Sequence, residues 1–325
     1  MNNKINKIFN TKRISLEDYK YIDNYYSKKI YKKENFLDNK IISLKKDLHN
    51  RTSSCYKKRN KIKEKIKLII KKYNLKNDNF LLLHGSFATG IVTDFSDIDL
   101  ILFVNFSNYK LIDYKELHNL IYDLNKFIYN FDPLAHHGVE LFNIEILRNY
   151  DETILPINTL EQSTLLNTPK NSELSVCVNI NLSKKNSIIK LNSQIKNIIN
   201  LKNNYINYSP YKLKSLISVF LLISVLKLQA EENIFIYKKE SIKYLIKKNP
   251  PNIEILNYVS QIRTDWKTKF TSKIIRLIFN YLLPIIPSLL IGQKVNAIIY
   301  NPFLFFKNRK IFNKIYNSIK KYEKY

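Results

Sequence analysis

Two aspartates, Asp97 and Asp99, stand one residue apart inside an apolar run, "DIDLILFV" at 97–104. Alternate side chains of a strand share a face, so both carboxylates point one way while Ile98 and Leu100 pack behind them. Neighbouring carboxylates repel and resist burial, and a divalent cation removes that cost. Mg²⁺ takes carboxylate oxygens and keeps positions open for phosphate oxygens. Upstream, "FLLLHGSF" brings a second apolar run to Gly85 and Ser86. A turn at Gly85 lets another group approach the backbone closely, and a helix opened by Ser86 offers unpaired N–H groups and a hydroxyl. The chemistry these residues suggest is a phosphate cradle facing a metal-binding carboxylate pair.

The chain holds only four glycines and five histidines. Gly85, Gly90 and Gly138, with His84, His136 and His137, fall in two short stretches, "LLHGSFATG" and "PLAHHG". Gly292 follows an apolar segment and reads as a helix C-cap. His136 and His137 could contact a nucleotide or an acceptor, or move protons. The bland alternative is a pair of strand-entry histidines held by backbone carbonyls. No Cys or further His follows at ligand spacing, which argues against zinc. His84 reads as a strand-end residue that shapes the pocket. Thr89, Thr93 and Asp94 read as helix and turn residues.

Elements must hold these groups in place. Residues 79–84 and 97–104 read as buried strands, 109–130 as an amphipathic helix, and 136–147 as a third strand. Residues 16–50 read as peripheral helix, and 56–75 carry helical spacing. After about residue 185 the apolar spacing is helical through 186–203, 211–230, 239–248, 253–265, 270–291 and 303–322. The predicted fold is α+β: a small mixed sheet with flanking helices, then a helical bundle. Its divisions are an N-terminal helical extension at 1–55, a catalytic core at 56–160 and a helical C-terminal domain at 185–325.

The 325 residues, 45% of them hydrophobic, support a sizeable core. Cys55 and Cys177 form neither a metal spacing nor a disulfide framework, so a reducing, cytoplasmic setting is expected. The N-terminus has no apolar signal core. The runs at 215–226 and 277–292 are too short for a spanning helix and read as buried core, so no membrane span is expected. The net charge of +27 comes from 47 lysines and seven arginines against 27 acidic residues. AT-rich coding accounts for much of that bias, since phosphate-gripping surfaces recruit Arg. The charge favours an anionic partner, and a nucleotide serves as well as RNA. The sequence leaves the oligomeric state open.

"LLHGSFATGIVTDFSDIDLIL" resembles the signature of the DNA polymerase β-like nucleotidyltransferase superfamily, with its minimal and aminoglycoside-type members closest in the "SDIDL" ending. The pattern is an apolar residue, Gly, Gly or Ser, a spacer, then Asp-apolar-Asp-apolar. Leu83 or His84, Gly85, Ser86 and then Asp97-Ile98-Asp99-Leu100 fit it. The resemblance implies that Asp97 and Asp99 coordinate two Mg²⁺ ions that bind an NTP, ATP among them, and activate an acceptor hydroxyl. It implies NMP transfer with loss of pyrophosphate, and phosphate contacts from Gly85, Ser86 and His137. It also implies a third carboxylate on a neighbouring strand. Glu140 is preferred, with Glu145 and Asp132 as alternatives; five residues separate the two glutamates, so in one strand they face opposite ways. Arg263 could reach the triphosphate across a cleft, or pair on its helix with Asp265 or Glu254 beside Trp266. The acceptor stays open between an RNA 3′ end, a small molecule and a protein hydroxyl. The rival expectation is a catalytically silent nucleotide- or partner-binding protein with the same fold.

Overall fold

Apolar runs between Asn- and Gly-containing turns become the central strands, and their partners set the layers. In this computed structural model the described residues are 3–27, 38–45, 54–73, 75–76, 78–90, 92–93, 96–131, 137–151, 155–167, 173–181, 184–200, 210–236, 238–248, 253–265 and 302–320. The strands are β1 (Asp38–Lys45), β2 (Phe80–His84), β3 (Asp99–Val104), β4 (Glu140–Asn143), β5 (Tyr150–Asp151), β6 (Thr164–Leu165) and β7 (Glu173–Asn181). They form one seven-stranded mixed sheet in the order β4-β3-β2-β6-β1-β7-β5. β2 runs antiparallel to β3, and β3 runs parallel to β4.

The register sorts the side chains into two faces. Leu81 opposes Leu102 and Leu83 opposes Leu100, and these residues belong to a core shared with three helices: α1 (Asn3–Phe9), α2 (Leu16–Ser27) and α3 (Ser54–Ile70). The same core takes Tyr114, Leu117, Leu120, Ile121, Leu124 and Ile128 of α5 (Leu111–Phe131), the amphipathic helix that the spacing predicts. On the other face Phe80 stacks on Phe103 at 4.7 Å, Leu82 opposes Ile101, and a second core includes Leu147 and Tyr150 with Ile157 and Leu160 of α6 (Ile157–Glu161). Each fully buried Leu, Ile or Phe contributes about 1.5–3 kcal/mol, so these faces hold the strands rigidly. The site grows from the end of the second face, where His84 opposes Asp99.

A third core belongs to helices alone. It joins α7 (Lys184–Asn200), α8 (Pro210–Glu232), α10 (Ile253–Thr264) and α11 (Pro302–Lys320) through Ile198, Leu216, Ile217, Phe220, Val259 and Ile315. Helix α9 (Lys238–Lys247) packs beside α8. Residues 213–232 of α8 are long and apolar enough to cross a membrane, with mean hydropathy 1.7, yet two thirds of that stretch is buried against protein (67%). The apolar helix thus runs further than 215–226, and its burial is that of a core helix. The run at 277–292 lies outside the described residues.

Three elements differ from the sequence expectation. Residues 38–45, inside the stretch expected to be helical, form β1, and 173–181 form β7, which no expectation covered. The two pair antiparallel over eight positions, from Asp38 with Ile180 to Lys45 with Glu173. Neither segment announces itself alone, because each finds its partner more than a hundred residues away. The sheet accordingly continues past residue 160. The third strand expected over 136–147 is only β4, after which the chain winds into a 3₁₀ helix at Ile144–Asn149.

Candidate functional site

β2 delivers the chain to Gly85, where φ is +68°, and the five-residue helix α4 (Gly85–Thr89) follows. The left-handed φ suits glycine, and a Cβ there would overlap the Asp99 carboxylate. Gly85 is therefore fixed by both backbone and neighbour, and the Asp99 carboxyl lies directly against the turn. Gly90 closes α4 in the left-handed region, at φ 73°. Ser86 is buried, and the Thr89 hydroxyl donates to the Gly85 carbonyl at 3.2 Å. Farther on, Thr93 N–H donates to Ser96 Oγ at 2.9 Å and Ser96 N–H to the Thr93 carbonyl at 3.0 Å. That small loop aims the chain into Asp97, with Ile98 wholly buried behind it.

Asp97, Asp99 and His137 bring one ligand atom each to within 4.8 Å of one another. His137 Nε2 lies 3.4 Å from Asp99 Oδ1. A second scarce glycine sets this position. A Cβ on Gly138 would overlap the Asn125 amide, and Asn125 Oδ1 accepts the Val139 N–H at 2.7 Å. The chain must press against α5 there to lead into β4. Burial pushes the Asp99 carboxyl up, against the pull of His137, Lys238, Lys214 and Arg263. Burial pushes His137 down, but Asp99, Glu140, Asp97 and the Gly138 carbonyl outweigh it and raise it overall. His84 falls to about 4, chiefly by burial, with Glu140 opposing and His137 assisting.

The opposite wall comes from the helical bundle. Lys214, 1% exposed at the side chain, forms an ion pair with Asp97. A cleft of about 230 Å³ opens between the two walls. On the sheet side it is lined by Gly85, Ser86, Asp97, Asp99 and His137, and on the bundle side by Ser218, Leu222, Gln229, Lys238 and Arg263. Lys238 donates to the Ser218 carbonyl at 3.3 Å. Burial and the nearby Arg263 pull the Lys238 ammonium down to about 8, while Asp99 and Asp97 act the other way. The cleft thus carries carboxylates on one side and the cationic Lys238 and Arg263 on the other, with Lys214 buried against Asp97.

Donor chemistry tests whether a divalent cation fits. Two half-buried carboxylates converge with an imidazole, and the structure already sets a positive ammonium against one of them. Cationic charge is what this corner is built to hold, and oxygen donors suit Mg²⁺. Glu140 pairs in register with Ile101, which puts it on the sheet face of Asp99, and it acts electrostatically on His84 and His137. It is not one of the three residues that converge within 4.8 Å. Glu145 lies in the 3₁₀ helix, where it pairs with Arg148 at 2.9 Å. The alternation argument for Glu145 fails because the strand has ended by then. Asp94, Asp132, His136 and Trp266 lie outside the described residues. Arg263 lines the cleft, the placement expected of a residue facing the site.

Lys214, Lys238 and Gln229 were missed in the sequence. Lysine is so common here that two more carry no signal, and Lys214 merely marks the edge of an apolar run. The available hint was a lysine at the edge of an apolar run, one helical turn before Ser218. Residues 64–150 match the family model "Polymerase beta, Nucleotidyltransferase". No curated protein and no solved structure matches the chain.

Proposed function

Because residues 64–150 carry a polymerase β-type nucleotidyltransferase domain, we propose that the chain is a Mg²⁺-dependent enzyme that moves NMP from an NTP to an acceptor hydroxyl. The acceptor oxygen forms a bond to the α-phosphorus, the bond from that phosphorus to the bridging oxygen breaks, and pyrophosphate leaves with the bridging oxygen. The observation that carries this reading is the seating of the Asp99 carboxylate against Gly85, in a cleft it shares with Ser86 and Asp97. A phosphate-approach turn and a carboxylate pair meet at one point.

Asp97 and Asp99 would hold two Mg²⁺ ions, with Glu140 as the third carboxylate on the same face of the sheet. Bound there, the metal neutralises phosphate charge and lowers the pKa of the acceptor hydroxyl. Gly85 gives the phosphates access to backbone N–H groups, and the Ser86 hydroxyl adds a donor. His137, drawn toward its charged form by the carboxylates, offers a proton or a hydrogen bond to a phosphate oxygen. Lys238 and Arg263 face the cleft from the bundle and present positive charge to the departing pyrophosphate. Lys214 balances Asp97 while the cleft is empty. The two cysteines, too few for a disulfide framework, support a cytoplasmic setting.

The test incubates the full chain with each α-labelled NTP, Mg²⁺ and total cell extract. The expected result is label transferred to one class of acceptor, whether RNA, protein or small molecule, together with pyrophosphate release. NTP binding without transfer to any acceptor would favour the catalytically silent alternative, in which Glu140 plays no metal role.

A further inference from the structure

Gln229 is 1% exposed, lines the cleft, and buries its side-chain oxygen Oε1 with no hydrogen-bond partner among the described residues. A buried carbonyl oxygen left unmatched carries a desolvation cost that packing does not return. Such a buried atom calls for an explanation, and a missing ligand is one where the residue lines a cleft. Its place along α8 says which part of a ligand it meets. Ser218, Leu222, Val225, Leu226 and Gln229 line the cleft at helical spacing, and Lys214 one turn earlier holds Asp97. At about 1.5 Å per residue, Gln229 lies roughly 16 Å along the axis from Ser218. That is on the scale of an extended nucleoside triphosphate. The charged end of the stripe faces the carboxylates. Between Ser218 and Gln229 the stripe is apolar, with Leu222, Val225 and Leu226 on α8, and Leu155 and Pro156 also line the cleft.

We infer that Gln229 reads the base of the donor nucleotide and that this base is adenine. The inference rests on the nucleotidyltransferase reading above and deepens it. A flat, apolar-faced ring suits the Leu and Pro walls. The carboxamide offers one acceptor and two donors. Adenine presents the complement, an exocyclic N–H beside a ring nitrogen, which is the pairing Gln and Asn make with it elsewhere. The orphaned atom is an acceptor, so the base must bring an N–H to it. The amino group of adenine does so, and its purine ring offers the Leu and Pro walls a larger apolar face than the cytosine ring does.

Equilibrium binding of ATP, GTP, CTP and UTP to the full chain in Mg²⁺ tests this, with Gln229→Met beside the wild type. ATP should bind at least about tenfold more tightly than the other three, and Gln229→Met should remove that preference. Methionine keeps the length and deletes the orphaned oxygen, so the nucleotide-free variant should melt no lower than wild type. Equal affinity for all four NTPs overturns the inference and leaves the nucleotidyltransferase reading standing. So does an ATP preference that survives Gln229→Met, or tightest binding of another NTP. A lowered melting temperature without nucleotide assigns Gln229 a structural partner and overturns it as well. Failure of every NTP to bind overturns both readings.

Discussion

The two walls of the cleft are built on opposite physical plans. The sheet wall presents acid groups from strand ends and tight turns, where a side chain has almost no freedom. Its geometry is locked by contact, as with Gly85 against Asp99 and Gly138 against Asn125. The bundle wall presents base from long side chains, Lys214 and Lys238, rooted in a helical core. Without a ligand each wall supplies counter-charge to the other, as Lys214 does for Asp97. The difference teaches that one wall is suited to positioning and the other to charge balance. Changes to them should therefore separate into losses of chemistry and shifts of affinity and stability.

The largest separation is expected at the carboxylates. Asp97→Asn and Asp99→Asn should each lower nucleotidyl transfer by several orders of magnitude, since the metal charge has nowhere to settle. Their stabilities should part. Asp99→Asn removes a carboxylate that burial already disfavours, so the nucleotide-free protein should melt no lower. Asp97→Asn takes the carboxylate away from buried Lys214 and should cost about 3 kcal/mol or more. Chemical denaturation of both variants checks this, and equal stability would erase the distinction between the two aspartates. Next is Gly85→Val. A branched side chain at a left-handed φ, overlapping Asp99, should cost at least 1–2 kcal/mol by the usual range of about that size. It should also abolish measurable NTP binding with both aspartates intact, as read by calorimetry.

The bundle wall should answer differently. The fold lowers the Lys238 pKa from 10.5 to about 8, so it favours the neutral amine. The resulting stabilisation is full above the unfolded pKa and disappears as pH falls through about 8, leaving a buried ammonium that costs about 2–3 kcal/mol at neutral pH. Lys238→Met should raise the stability of the nucleotide-free protein at pH 7 while weakening NTP binding. The gain in stability should vanish above about pH 10.5, which denaturation at two pH values would show. The smallest effect is on the sheet side. His84, with its pKa lowered from 6.5 to about 4, contributes stability that is complete above 6.5 and lost as pH falls toward 4. Between pH 7 and pH 5 that loss is about 2 kcal/mol, and His84→Gln should remove this part of the acid dependence.

The same contrast explains which parts of the site are legible in the sequence. Gly85, Asp97, Asp99, His137 and Gly138 stand out because the chain uses Gly and His rarely and because carboxylates inside apolar runs are costly. Strand alternation and turn chemistry are local, so Ile98 behind the pair and φ at Gly85 followed from neighbours a few residues away. Lys214 and Lys238 are two lysines among 47, and what distinguishes them is position, Lys214 against Asp97 and Lys238 in the cleft, which only tertiary packing creates. Arg263 showed the limit from the other side. Its rarity marked it, but local spacing favoured a surface pair with Asp265 or Glu254 over a place in the cleft. β1 and β7 were illegible for a related reason, since each satisfies its backbone on a strand far off in sequence. Glu145 was misplaced because nothing local marks the change from strand to 3₁₀ helix after Asn143.

The cleft stripe of α8 is one unbroken helix, so its groups share a single angular phase. A helix turns about 100° per residue. One alanine inserted between Leu222 and Val225 would leave Lys214 and Ser218 in place and swing Gln229 about 100° away from the cleft, toward a quadrant its present neighbours occupy. Seven residues inserted there would nearly restore the angle but lengthen the span by about 10 Å. The helix therefore works as a gauge with two independent settings, rotation and length, and evolution can retune what fits at one end of the cleft without disturbing the other.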